Sequence, residues 1–120
     1  MLAYKLFGSG LNTLSVAAMT DVATGLTAAG TTQGTAYEST SAKNAFTTVA
    51  AGAGTILDSD AAPGDSQMIY NGGSNALSVY PPSSARINGL AVNAAMLLPT
   101  NTSCEFHCLT TTLWTGILSR

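Results

Sequence analysis

Apolar and polar positions alternate with a period of two through much of this chain, and turn residues interrupt the alternation at short intervals. From Thr35 onward the rhythm is that of strands separated by turns roughly every eight to twelve residues, as in a sandwich or barrel. Tyr37 and Phe46 sit in runs rich in Ser and Thr, and TTVAAGAGTIL, SQMIYN, ALSVYP, NAAMLL, SCEFHCL and LWTGILS follow. The turns fall at AAPGD (61–65), GGSN (72–75), PPSS (81–84), Asn88-Gly89 and PTNT (99–102). In the first, Pro63 presets φ, Gly64 supplies the left-handed residue and Asp65 braces the turn through its own side chain. SQMIYN and ALSVYP are expected to pair as a β-hairpin across the Gly-rich loop. In the second arm Leu77 and Val79 share one face, and Ser78 and Tyr80 share the other. The expected fold is all-β, a compact antiparallel sandwich or barrel.

The first third of the chain has a different character. Residues 1–33 read as an N-terminal arm and linker, and residues 34–120 as the β domain. Thr13 to Leu26 could form a short helix, capped by Thr13 or Ser15 and stopped at Gly25. Val, Thr and Asp are poor helix formers, so an extended arm competes closely with it. TAAGTTQGT (27–35) reads as a linker. An arm carrying Leu2, Tyr4, Leu6 and Phe7 cannot bury those side chains by itself, and is expected to dock on a neighbour or under the β domain. Tyr80-Pro81-Pro82 is expected to form an exposed aromatic–proline corner, which either packs into a neighbour or simply ends a strand.

Composition changes this picture in one respect. Charged residues make up 8% of the chain, against about 25% in an ordinary soluble domain. In their place are 29 Ser and Thr, 19 Ala and 12 Gly. A skin of hydroxyls and small side chains suits close packing against other chains, because little side-chain entropy is lost there. A secreted, adhesin-like module would share that bias. The net charge of −2 and the scattered Lys5, Lys43, Arg86 and Arg120 exclude the clustered positive footprint of a nucleic-acid binder. The N-terminal stretch lacks a continuous apolar core of signal-peptide length, and no apolar run approaches a membrane span. The chain is therefore expected to be made in a cytosol.

Candidate chemistry is sparse. Cys104 and Cys108 lie on one face of a strand with Phe106, while Glu105 and His107 point the other way. Residues four apart on a strand are about 13 Å from each other, beyond disulfide reach. The same divergence argues against a Cys–His nucleophile and a zinc site, and the cysteines are expected to be reduced core residues. Asp58, Asp60 and Asp65 have the alternate spacing of a calcium loop without its remaining ligands, and are expected to be solvated carboxylates. A calcium held weakly between subunits is the alternative there. Asn101-Thr102-Ser103 matches a glycosylation sequon, which carries little meaning without a secretory signal. No cofactor and no catalytic residue is expected.

The order of these elements resembles a module of tailed-bacteriophage virion proteins. The residues that carry the likeness are Thr47-Thr48-Val49, Gly64-Asp65, Tyr70-Asn71, Asn75 to Pro82, Ile87-Asn88-Gly89 and Trp114, spanning roughly residues 25–115. The resemblance implies a virion structural protein, either a capsid decoration (cement) protein or a tail-associated protein, and usually a homotrimer. Its partners would be the major capsid protein or other virion subunits. The competing expectation is a tail or fibre module that binds a host surface glycan. An enzyme is the least supported class, since no acid–base pair shares one location.

Overall fold

The computed structural model describes residues 21–119. The strands are β1 (Val22–Thr27), β2 (Tyr37–Glu38), β3 (Lys43–Thr48), β4 (Gly54–Ile56), β5 (Ser66–Asn71), β6 (Leu77–Tyr80), β7 (Arg86–Ile87), β8 (Met96–Leu98), β9 (Thr102–Thr110) and β10 (Leu113–Leu118). One 3₁₀ turn, Gln33–Thr35, precedes β2. The strands form a six-stranded sheet in the order β1-β3-β5-β9-β10-β7 and a four-stranded sheet in the order β2-β4-β6-β8.

The chain alternates between the two sheets for its first six strands. β1, β3 and β5 lie parallel to one another in one sheet, and β2, β4 and β6 lie parallel in the other. This is a coil in which each circuit adds one strand to each sheet. The expected all-β class is present in two sheets, but the arrangement is a solenoid-like coil and not an antiparallel sandwich or barrel, and much of the pairing is parallel. Antiparallel pairs enter with the later strands: β6 with β8, β5 with β9, and β9 with β10. The last is a two-residue hairpin through Thr111-Thr112.

The expected hairpin between SQMIYN and ALSVYP does not form. These segments are β5 and β6, which lie in different sheets. Gln67, Ile69 and Asn71 from β5, and Leu77 and Val79 from β6, all point into the shared core. The Gly72–Asn75 loop thus carries the chain across the core from one sheet to the other instead of folding it back on itself.

The helix expected to run to Leu26 is also corrected where the structure describes it. Val22–Thr27 is β1, parallel to β3, and Gly25, expected to stop the helix, has φ 67° where the β1–β3 register shifts. Weak helix formers such as Val22 and Thr24 readily accept a strand when a neighbouring strand offers hydrogen bonds. The rest of that segment lies outside the described residues. Thr27–Thr35, read as linker, contains buried Ala28 and a bridge from Ala29 to Gly54.

The core between the sheets holds Phe46, Leu57, Ile69, Leu77, Val79, Ile87, Leu98, Phe106 and Trp114, each no more than 1% exposed. Complete burial of one such side chain contributes roughly 1.5–3 kcal/mol. Polar groups that enter this core are bonded within it. Gln67 accepts from the Asp58 N–H at 2.9 Å and donates to the Ser39 and Ser41 carbonyls at 2.8 and 3.1 Å. Thr55 donates to the Tyr37 carbonyl at 2.6 Å and meets the Ser39 hydroxyl at 2.6 Å. Among the described residues, no buried side-chain polar atom lacks a partner. These links tie successive circuits of the coil together.

Candidate functional site

Two surfaces bring polar chemistry together. The first is the outer face of the six-stranded sheet. Cross-strand register places Val22, Lys43, Met68, Glu105 and Ile117 in one row across five strands. The neighbouring row is Ser66, His107 and Thr115. Val22, Leu109 and Ile117 are each more than half exposed, at 56%, 51% and 67%.

Within this face Ser66 Oγ lies 2.8 Å from His107 Nδ1, and His107 Nε2 lies 3.2 Å from Glu105 Oε1. The carboxylate favours a proton on Nε2, which leaves Nδ1 to accept from the serine hydroxyl. Serine, imidazole and carboxylate are connected as in a nucleophilic relay. Their setting does not suit acyl transfer. All three stand on a flat sheet face, Glu105 is largely in water, and β5 and β9 are both interior strands with partners on each side. The ladder therefore engages the backbone N–H groups that an oxyanion would need. The arrangement orders the surface and pins the β5–β9 register. Sequence reasoning missed it because Ser66 and His107 are 41 residues apart.

The second surface is a cleft of about 540 Å³ where the end of β3 with residues 49–50, the 72–75 loop and residues 100–101 meet. Its polar groups are the hydroxyls of Thr47, Thr48, Ser74 and Thr100 and the amides of Asn75 and Asn101. The walls are held from beneath by Asn71, which is fully buried. Asn71 donates to the Asn75 and Leu98 carbonyls at 2.8 and 2.9 Å, and accepts from the Gly73 N–H at 2.9 Å. Asn75 donates to the Val49 carbonyl at 2.9 Å, and the Thr100 hydroxyl donates to the Gly73 carbonyl. Two glycines let the loops approach this closely. A Cβ on Gly73 would stand 2.6 Å from Val49 Cγ2, and one on Gly72 would stand 2.8 Å from the Tyr70 ring. Asn101 takes the left-handed conformation at φ 61°, which its short amide side chain tolerates.

The residues singled out from sequence fall as follows. Cys104 and Cys108 are buried, unpaired with each other, and share the inward face with Phe106, as the alternation required. Burial pushes the Cys104 thiol up to about 11, and burial also raises Cys108. The Asp65 carboxylate accepts from the Ala62 N–H at 2.8 Å, and Gly64 has φ 99°, so this turn is braced as expected. Asp58 accepts from the Asp60 N–H at 2.9 Å. Among the described residues, no cluster of three or more acidic, His or Cys side chains is placed to hold a metal. Tyr80-Pro81-Pro82 is not an exposed corner. Pro81 is buried, its carbonyl accepts from Gln33 at 2.8 Å, and the Tyr80 hydroxyl donates to the Thr31 carbonyl at 3.2 Å. The segment from Thr31 to Gln33 covers it within the same chain. Leu2, Tyr4, Leu6 and Phe7 lie outside the described residues. No helix among the described residues is long and apolar enough to cross a membrane.

The chain matches no protein-family model, and no curated protein or solved structure matches it.

Proposed function

We propose that this chain is a structural subunit of a larger particle, with no catalytic role, and that it works by covering and clamping neighbouring subunits. The observation that carries the reading is the outer face of the six-stranded sheet, where Val22, Leu109 and Ile117 stand exposed beside Lys43 and Glu105. Leu97, 63% exposed on edge strand β8, adds an apolar position on the other sheet. Obligate interfaces are rich in such positions and bury upwards of about 2,000 Å² in total. The phage-virion resemblance gives the finer form of the proposal: a homotrimeric decoration, or cement, protein that binds the assembled capsid lattice. Anything that binds only the assembled state stabilises it by mass action, so many weak contacts across a lattice could offset internal pressure. In this proposal the apolar residues Leu2, Tyr4, Leu6 and Phe7, which lie outside the described residues, contribute to attachment to a neighbour, for which β-addition is the recognition mode suggested.

The test is made on the isolated protein and on particles. Light scattering at micromolar concentration should give a trimer, and deletion of residues 1–12 should leave the β fold intact while weakening attachment. Particles stripped of the protein should release DNA at lower temperature than complete ones. A persistent monomer, or stripped particles of unchanged heat stability that fail to adsorb to cells, would overturn the cement reading.

A further inference from the structure

We propose that the cleft formed by residues 47–50, 72–75 and 100–101 is a binding site for a neutral oligosaccharide, a property independent of the assembly role. Its volume of about 540 Å³ falls within the roughly 300–1,000 Å³ of small-molecule sites. No lining residue carries a charge, so neither an anionic nor a cationic ligand finds a counter-ion there. What the lining offers is hydroxyls and amides, which both donate and accept hydrogen bonds. That is the pattern a ring of sugar hydroxyls presents in return.

The polar groups divide into two sets. Asn75, Thr100 and the buried Asn71 are engaged in holding the walls. The Thr47 and Thr48 hydroxyls and the Asn101 amide are exposed and carry no hydrogen bond to any described residue. One set builds the cleft, and the other lies along its lining, with Thr47 and Thr48 on opposite faces of β3. Walls fixed in advance lower the ordering cost of binding, which matters most for weak, polar ligands. A peptide fits less well. The cleft is made by connections at strand ends, and an added strand needs an unpaired sheet edge.

Amide NMR of the ¹⁵N-labelled full chain, titrated separately with maltohexaose, mannohexaose and chitohexaose, tests this. At least one of these should shift Gly72, Gly73 and Asn101, with a dissociation constant on the order of 1 mM. Thr47→Val and Asn101→Gly should each weaken that binding about five-fold or more, while the remaining amide spectrum keeps its dispersion. Both positions are exposed, and glycine retains the positive φ at 101. No shift with any of the three sugars up to about 20 mM would overturn the proposal. So would shifts located away from the cleft, or variants that bind as well as the parent. Tighter binding of a heparin hexasaccharide, or of a Ser/Thr-rich decapeptide alone, would equally refute a neutral-glycan site.

Discussion

Replacing Asn71 with alanine should remove the support on which the cleft and the crossing between the sheets both rest. The side chain is fully buried and makes three hydrogen bonds, at 2.8, 2.9 and 2.9 Å. Truncation leaves the Asn75 and Leu98 carbonyls and the Gly73 N–H without their partner. A buried polar group left unsatisfied costs about 1–3 kcal/mol. The Leu98 carbonyl and the Gly73 N–H are buried and should incur the larger cost, whereas the partly buried Asn75 carbonyl regains some water. The loss should total about 3–5 kcal/mol, a large part of the roughly 5–15 kcal/mol typical of a domain. Urea unfolding followed by the fluorescence of Trp114, which is buried, should show a lower midpoint with an unchanged slope. Asn71→Asp should be at least as damaging near neutral pH, because a carboxylate can accept from Gly73 but cannot donate to two carbonyls. Relative to the parent protein it should recover as the pH is lowered and the carboxyl regains a donor. A loss below about 1 kcal/mol for Asn71→Ala would refute the network as a structural support.

Other outcomes follow from the same structure. A thiol reagent should label neither Cys104 nor Cys108 in the native protein and both after unfolding; rapid native labelling would refute their core placement. The folded state holds the Cys104 proton more tightly, since its thiol is raised from 9.0 to about 11. Stability should therefore fall as the pH rises above about 9 and level off beyond about 11, by at most roughly 1.4 kcal/mol per pH unit from this group. Cys104→Ala should flatten that slope in pH-dependent urea melts, and an unaltered slope would count against the assignment. Ile117→Lys places a cation opposite Glu105 in the β9–β10 register and should leave folding intact while weakening self-association, as read by sedimentation. An unchanged oligomer would remove this face from the interface.

Alternation along the chain was enough to determine the β class, most of the strands from Tyr37 onward, and the inward face shared by Cys104, Phe106 and Cys108, whereas β7 fell in a segment read as a turn and TTVAAGAGTIL divides between β3 and β4. It also marked the turn at Gly64 and Asp65, because left-handed φ and side-chain bracing depend on residue type and on neighbours a few positions away. The pairing of strands was not legible. A period of two says which side chains share a face, and that statement is the same for a parallel or an antiparallel neighbour. β5 and β6 each present a good apolar face, so nothing local distinguished a hairpin from two strands facing each other across the core. Val22–Thr27 similarly becomes a strand through hydrogen bonds to β3, which lies well beyond any local window. The candidate sites belong wholly to tertiary structure. Asn71 meets Leu98 across 27 residues, and His107 meets Ser66 across 41. Hydrogen bonds of that span exist only after the coil has closed, because they depend on sheet order and loop approach, which local residue preferences do not encode.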